Sequence, residues 1–203
     1  MTRVLLVRHG QSEWNADGRW QGQADPPLTE LGHAQALHAA RSLGVVDVIV
    51  ASDLQRAADT AARLSSELGV GPLVLDPDLR ERDAGQWSGL TRREIEQAWP
   101  GYLDPPEGSP PRRPPGWEPD EALLARARAA LVRIHELVPH GEAIAVTHGG
   151  LIYVVEASLG ASFERIENLG GRWVDVGPDG PTVLGERVAL IVDDAEVTVP
   201  DQI

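Results

Sequence analysis

The sequence predicts an α/β fold, a three-layer α/β/α arrangement around a mostly parallel central sheet, on three observations. Short apolar runs alternate with segments of helical periodicity over most of the chain, the pattern of βαβ units. The runs Val4 to Val7, Val45 to Val50 and Ala143 to Thr147 do not alternate polar with apolar residues, so both faces of each strand would be buried, as in a parallel sheet covered by helices. Two of these runs stop at the same kind of signal, Arg8-His9-Gly10 and Thr147-His148-Gly149. In open α/β sheets the carboxyl edge carries the ligand crevice, so each stop would deliver an imidazole there.

Taken in order, the first strand presents Arg8 and His9, and Gly10 lets a ligand approach the backbone. Gln11 to Pro27 is a polar connection too long for a tight turn, and such loops are usually functional. Within it Ser12 and Asn15 can bend back to offer a hydroxyl and an amide to an anion, or serve only as turn residues. Thr29 reads as the N-cap of a helix from Glu30 to Leu43, stopped by Gly44. After the strand Val45 to Val50, Ser52 and Gln55 have capping-box spacing, so a helix starting at Asp53 would carry Arg56 in its first turn, over the strand end. This helix runs to Leu68 and closes at Gly69, and Leu73 to Leu75 makes a short third strand.

The next loop carries Glu81 between Arg80 and Arg82, neighbours that would make it an ordinary surface ion-pair residue unless Trp87 buries it. Thr91 and Glu94 form a second capping box, opening a helix to about Trp99. Prolines are then dense from Pro100 to Pro119 around Arg112-Arg113, a composition that admits neither helix nor central strand. This stretch reads as a surface excursion within one domain spanning residues 1–203, because a regular pattern resumes. A long helix from Asp120 to Val138 leads to the strand Ala143 to Thr147, and His148 sits at the turn into a helix from Leu151 to Leu159. Arg172 to Val176 and Thr182 to Ile191 read as a hairpin around Pro178-Asp179-Gly180, followed by an acidic tail.

A formal charge of −13 repels polyanions, which argues against nucleic acid and anionic membrane as partners while leaving room for a local cationic pocket. There is no cysteine, hence no disulfide framework and no thiolate chemistry. Neither a signal peptide nor a run of transmembrane length is evident, so a cytoplasmic protein is expected. The oligomeric state is open, and a homodimer is compatible with the composition. His9 and His148 lack a clear third ligand and sit beside arginines that would repel a cation, so no metal is expected. His33, His38, His135 and His140 fall on or just after helices, where solvated or capping roles are expected. The tryptophans at 14, 20, 87, 99 and 117 serve as core and loop anchors, or line a pocket for an apolar or sugar group.

If the sheet is parallel, its strand ends bring Arg8, His9, Arg56 and His148 into one crevice. Guanidinium forks match the oxygens of a phosphoryl group, so that is the ligand chemistry the set suggests. At this point a resemblance emerges. Leu6-Val7-Arg8-His9-Gly10-Gln11-Ser12-Glu13-Trp14-Asn15 resembles the opening signature of the histidine phosphatase superfamily, in its phosphoglycerate-mutase-like branch. Ala51-Ser52-Asp53-Leu54-Gln55-Arg56-Ala57, Leu79-Arg80-Glu81 with Gly85 to Leu90, and Thr147-His148-Gly149-Gly150 resemble the family's later motifs in the same order.

The resemblance implies a phosphoglycerate-mutase-like fold and a set of roles. His9 would be the phosphorylated nucleophile, Arg8, Asn15 and Arg56 the phosphate clamp, His148 a further phosphate ligand and Glu81 the proton donor. Ser12, Gln21, Gly22 and Gly149 stand beside them as substrate- or phosphate-binding positions. Cationic neighbours disfavour imidazolium, which keeps a lone pair on His9 for attack on phosphorus. The implied activity is metal- and cofactor-free hydrolysis of a small phosphorylated metabolite. The alternative is a phosphoglycerate mutase using 2,3-bisphosphoglycerate, and a non-catalytic phosphate-binding module is a third reading. True mutases of the family carry a larger basic insertion after the acid motif, whereas this region is short and proline-rich. Gly116-Trp117-Glu118-Pro119 also stands where family phosphatases usually have Gly-Gly-Glu-Ser, which leaves the substrate open.

Overall fold

The computed structural model describes residues 1–105, 109, 112–191 and 196–199. Residues 106–108 and 110–111 of the proline-rich excursion, and 192–195 and 200–203 of the expected acidic tail, lie outside the described residues. Six strands form one sheet: β1 (Thr2–Arg8), β2 (Val48–Ala51), β3 (Val74–Leu75), β4 (Glu142–Thr147), β5 (Gly170–Gly177) and β6 (Gly180–Ala189). Their order is β3-β2-β4-β1-β5-β6. β1, β4, β2 and β3 pair in parallel, while the β5–β6 hairpin adds an antiparallel edge, so the mostly parallel sheet is as expected.

The absence of alternation in the strands has its explanation in the two covering layers. Val4 and Leu6 of β1, with Ala143 and Ala145 of β4, face α5 (Asp120–Leu137) and α6 (Gly149–Ser158). Leu5 and Val7, with Ile144 and Val146, face the other way, toward α2 (Glu30–Ala39) and α3 (Gln55–Leu68). Both sets of a period-two pattern are therefore apolar because both faces pack. Two short helices complete the chain, α1 (Glu13–Ala16) inside the polar connection and α4 (Arg92–Ala98), which opens with the Thr91–Glu94 capping box.

Several boundaries differ from the sequence reading. Thr29 caps α2 as expected, accepting from the Gly32 amide, but the helix ends at Ala39 and tightens to a 3-10 turn over Ala40–Ser42, so Gly44 is not its cap. Val45 is 94% exposed, and the second strand starts at Val48. Ser52 does not cap α3. That helix starts at Gln55 behind Leu54, which makes no side-chain cap, and the Ser52 hydroxyl is used elsewhere. Register explains why Arg56 belongs to the interior: Arg56, Thr60 and Leu64 follow at intervals of four along the buried face of α3.

Register also levels the strand ends. Arg8 lies opposite Thr147, Ala51 opposite Val146, and the Ser52 and His9 amides continue the ladder to the carbonyls of Val146 (2.9 Å) and Thr147 (3.0 Å). One buried ion cluster ties α6, whose N-cap is His148, to the hairpin. Glu156, 2% exposed, takes Arg187 through both oxygens at 2.9 and 2.7 Å and pairs with Arg172 at 3.1 Å. Removing the carboxylate would leave two guanidiniums short of a counter-charge. Glu156→Ala should lower the unfolding free energy by about 3 kcal/mol in chemical denaturation.

Candidate active site

Arg8, His9, Arg56 and His148 converge at the level strand ends, each 4% exposed or less. The Nδ1 atom of His9 lies 2.6 Å from the carbonyl oxygen of Gly10, which can only accept, so Nδ1 carries the hydrogen and Nε2 keeps its lone pair. The Nε–H of Arg56 points at that Nε2 from 3.3 Å. Burial, then the charges of Arg56 and Arg8, push the His9 imidazole well below its ordinary value, so the ring stays neutral.

His148 packs edge-on against His9 with ring centroids 5.1 Å apart. Ser52 explains its orientation. The Ser52 hydroxyl accepts the Leu54 amide at 3.2 Å and lies 2.9 Å from His148 Nε2, which is the acceptor available to its own proton. The hydrogen of His148 then sits on Nδ1, a buried atom without a hydrogen-bond partner among the described residues. Burial, followed by the charge of Arg56 and then His9, lowers this imidazole well below its usual range too. The guanidinium of Arg56 donates to the carbonyls of Gly22 (3.0 Å) and Ala24 (2.8 Å) and that of Arg8 to Ile166 (2.7 Å). Burial lowers Arg56 to about 10, against the raising influence of Glu81 and Asp25, and it remains charged at neutral pH.

Glu81 lines the same cleft as His9. Its flanking arginines do not pair with it: Arg80 grips Asp53 through two contacts of 2.6 Å, and Arg82 pairs with Asp120 at 2.7 Å. Trp87 does not roof it either, being packed between Trp20 and Trp117. The carboxylate instead accepts the amides of Arg82 (2.7 Å) and Gly150 (3.2 Å), and a Cβ at Gly150 would collide with it. Behind it Arg126 donates to the carbonyls of Asp78 and Glu81 and is held by both oxygens of Glu118. Arg126 and Glu118 are site-building residues that sequence reasoning missed, and Glu118 stands in the segment where the family's usual motif is absent.

The cleft encloses about 360 Å³. Of the expected residues, Arg8, His9, Asn15, Gln21, Gly22 and Glu81 line it, while Arg56 and His148 adjoin the His9 ring, Arg56 at the Nε2 atom itself. Gly149 begins α6 against Arg8. Ser12 does not line the cleft; its hydroxyl caps α1 and donates to the Gln21 Oε1 at 2.8 Å, the turn role that its sequence context also allows. The outer half of the cleft was not foreseen as a unit. Arg19, Arg82, Arg92 and Arg113 share it with Trp20, Trp117, Tyr153 and Phe163. The sole signal for it was the aromatic and Arg112-Arg113 content of loops far apart in sequence. Among the described residues no group of three or more His, Cys, Asp or Glu could hold a metal, and no helix is long and apolar enough to cross a membrane.

Known proteins resemble the chain in both sequence and fold. The profile of the histidine phosphatase superfamily, branch 1, matches residues 4–182. A glucosyl-3-phosphoglycerate phosphatase of Mycolicibacterium vanbaalenii is 38% identical over 184 residues, covering 83% of this chain and 79% of that protein. A 2,3-bisphosphoglycerate-dependent phosphoglycerate mutase of Bartonella quintana is 42% identical over 102 residues, but this covers 47% of the chain and 50% of the mutase. Among solved structures, a mycobacterial glucosyl-3-phosphoglycerate phosphatase with inorganic phosphate superposes with a TM-score of 0.80 at 29% identity, over 94% of this chain and 99% of that one. With its motifs gathered at one sheet edge and the profile running from within the first strand into the sixth, the chain belongs to branch 1 of the histidine phosphatase superfamily.

Proposed function

We propose that the chain hydrolyses a small-molecule phosphomonoester through a phosphohistidine at His9. The observation that carries this reading is the state of that ring, a neutral imidazole with its lone pair on Nε2, inside a cationic pocket and facing a carboxyl group. In the first step Nε2 attacks phosphorus while the bond to the leaving oxygen breaks, and Glu81 donates a proton to that oxygen. Arg8, Arg56, Asn15 and the Nδ1–H of His148 hold the equatorial oxygens, where phosphoryl transfer concentrates its charge. In the second step Glu81 takes a proton from water, whose oxygen attacks phosphorus, and inorganic phosphate leaves as His9 recovers its lone pair. Each step balances with this chain's residues and water alone, so the proposed hydrolysis calls on neither metal nor 2,3-bisphosphoglycerate. A cytosolic site of action, where phosphorylated metabolites are met, fits the lack of cysteine.

The relatives named glucosyl-3-phosphoglycerate phosphatases support a substrate that joins phosphate to a carboxylate and a sugar. The outer cleft suits such a molecule. Arg113 lies over the Trp117 ring at 4.7 Å and forms no ion pair among the described residues, so an anionic group of the substrate can meet it. The aromatic wall offers faces for a sugar. Mutase activity is the less supported alternative, because a mutase must exclude water and the short, proline-rich stretch after the acid loop is not the large insertion that mutases carry.

His9→Ala should reduce phosphate release from para-nitrophenyl phosphate by at least about a thousandfold with the fold intact by circular dichroism. Near-normal turnover would remove His9 from the mechanism. Because the His9 imidazole is pushed below 6.5, it stays deprotonated as pH falls through that value, so the acidic limb of kcat/KM should have its midpoint below 6.5. A midpoint at 6.5 or above contradicts that cause. On a panel of phosphate esters, those bearing a carboxylate should show the higher kcat/KM, and Arg113→Ala should lower their values about tenfold while sparing uncharged sugar phosphates. Equal losses on both groups would reject the carboxylate assignment, and interconversion of phosphoglycerates faster than hydrolysis would favour the mutase.

A further inference from the structure

Asn168 is fully buried, takes no part in the chemistry above, and satisfies its polar groups in an unusual direction. Its Nδ2 donates to the carbonyl of His9 at 2.8 Å and to the Oδ1 of Asn15 at 3.3 Å. Its Oδ1 accepts the hydroxyl of Thr198 at 2.8 Å, and its amide donates to the Thr198 carbonyl at 2.9 Å. The neighbouring Leu169 amide donates to the carbonyl of Arg8 at 3.0 Å. Leu169 does so with φ at +57°, a left-handed conformation that a leucine adopts only where its surroundings compel it. Thr198 is held from its other side by Gln35, whose Nε2 reaches the threonine hydroxyl and the Glu196 carbonyl at 3.0 Å each. The Gln35 Oε1 accepts the Gln11 amide at 2.9 Å. Residues 196–199 are thus strapped across the back of the loop that bears His9 and Asn15.

We infer that Asn168 is a positioning residue for the phosphate site and that residues 196–199 complete it through Thr198. The amide of Asn15 could present either its oxygen or its nitrogen to the cleft, and these ends are opposite in sign to an anion. Two donors, the Ser12 amide and Asn168 Nδ2, both at 3.3 Å, claim the oxygen, so the proposed phosphate role of Asn15 calls on its nitrogen, the end with the sign an anion needs. Thr198 acts in the same way from the next residue outward. By donating to Asn168 Oδ1 it holds that amide with nitrogen toward His9 and Asn15. The carbonyls of Arg8 and His9 are pinned by adjacent residues, so the peptides that aim the guanidinium and the imidazole are fixed together.

The inference rests on the reading of this pocket as a phosphate site, and direct binding separates the two. Calorimetric titration of the full chain with inorganic phosphate and with orthovanadate would compare the native protein, Asn168→Ala, Thr198→Val, Asn15→Ala and the Asn15→Ala/Asn168→Ala double variant. Asn168→Ala should weaken phosphate binding about tenfold in the native background, but less than about twofold once Asn15 is already alanine. Thr198→Val, which keeps shape and removes one hydroxyl, should weaken it about threefold. Equal losses in both Asn15 backgrounds would mark Asn168 as merely structural and overturn the inference. If Asn168→Ala fails to fold, Thr198→Val decides, and native affinity in that variant overturns the strap. A native chain that binds neither anion overturns the pocket reading and the inference with it, whereas good binding with unaltered variants overturns the inference alone.

Discussion

Two buried guanidiniums without carboxylate partners are the constraint around which this protein is built. Arg8 and Arg56 form no ion pair among the described residues and are met instead by the carbonyls of Ile166, Gly22 and Ala24. A charge withdrawn from water is costly unless something replaces its hydration. Carbonyl dipoles supply some of that replacement and leave the remaining charge to an incoming anion. Burial first, and after it the charges of these cations, depress His9 and His148, so the pocket proposed for phosphate also keeps its histidines neutral.

Holding that arrangement requires support from distant regions of the chain. The polar connection after β1 donates no helix of consequence, yet its Gly22 and Ala24 carbonyls fix Arg56. Close packing of Gly10 against the Gly32 carbonyl, 2.6 Å from where a Cβ would stand, seats this connection on the start of α2. On the opposite wall, Arg126 spans from α5 to the Glu81 loop and is itself gripped by Glu118. The three tryptophans Trp20, Trp87 and Trp117, with centroids 5.3 to 5.9 Å apart, join the first loop, the acid loop and the end of the proline-rich excursion into one unit. Four segments remote in sequence thereby become the rim of one cleft.

The charge balance of the whole protein sharpens the contrast. In a chain of formal charge −13, a cleft lined by five arginines against Glu81 and Asp120 is a local reversal of sign. Low-dielectric walls focus such a field on small anions at short range, while the surrounding acidity disfavours polyanions. This is the electrostatic profile expected of a site for a small phosphorylated metabolite.

Read alone, the sequence determined the elements and the edge at which they converge. Short apolar runs alternating with helical segments read as strands buried on both faces, and a histidine after each of two such runs falls by chain direction at the same carboxyl edge. What only the tertiary structure decided is hydrogen-bond partnership across long separations. Ser52 had the local spacing of a capping box, but its hydroxyl meets His148, 96 residues away, and local pattern holds no information about that competition. Arg80 and Arg82 neighbour Glu81 in sequence and yet pair with Asp53 and Asp120, because successive side chains in an extended loop diverge. Asn168, Thr198 and Arg126 act on the site through single polar contacts that leave no periodicity behind, so their role becomes visible only when the chain is folded.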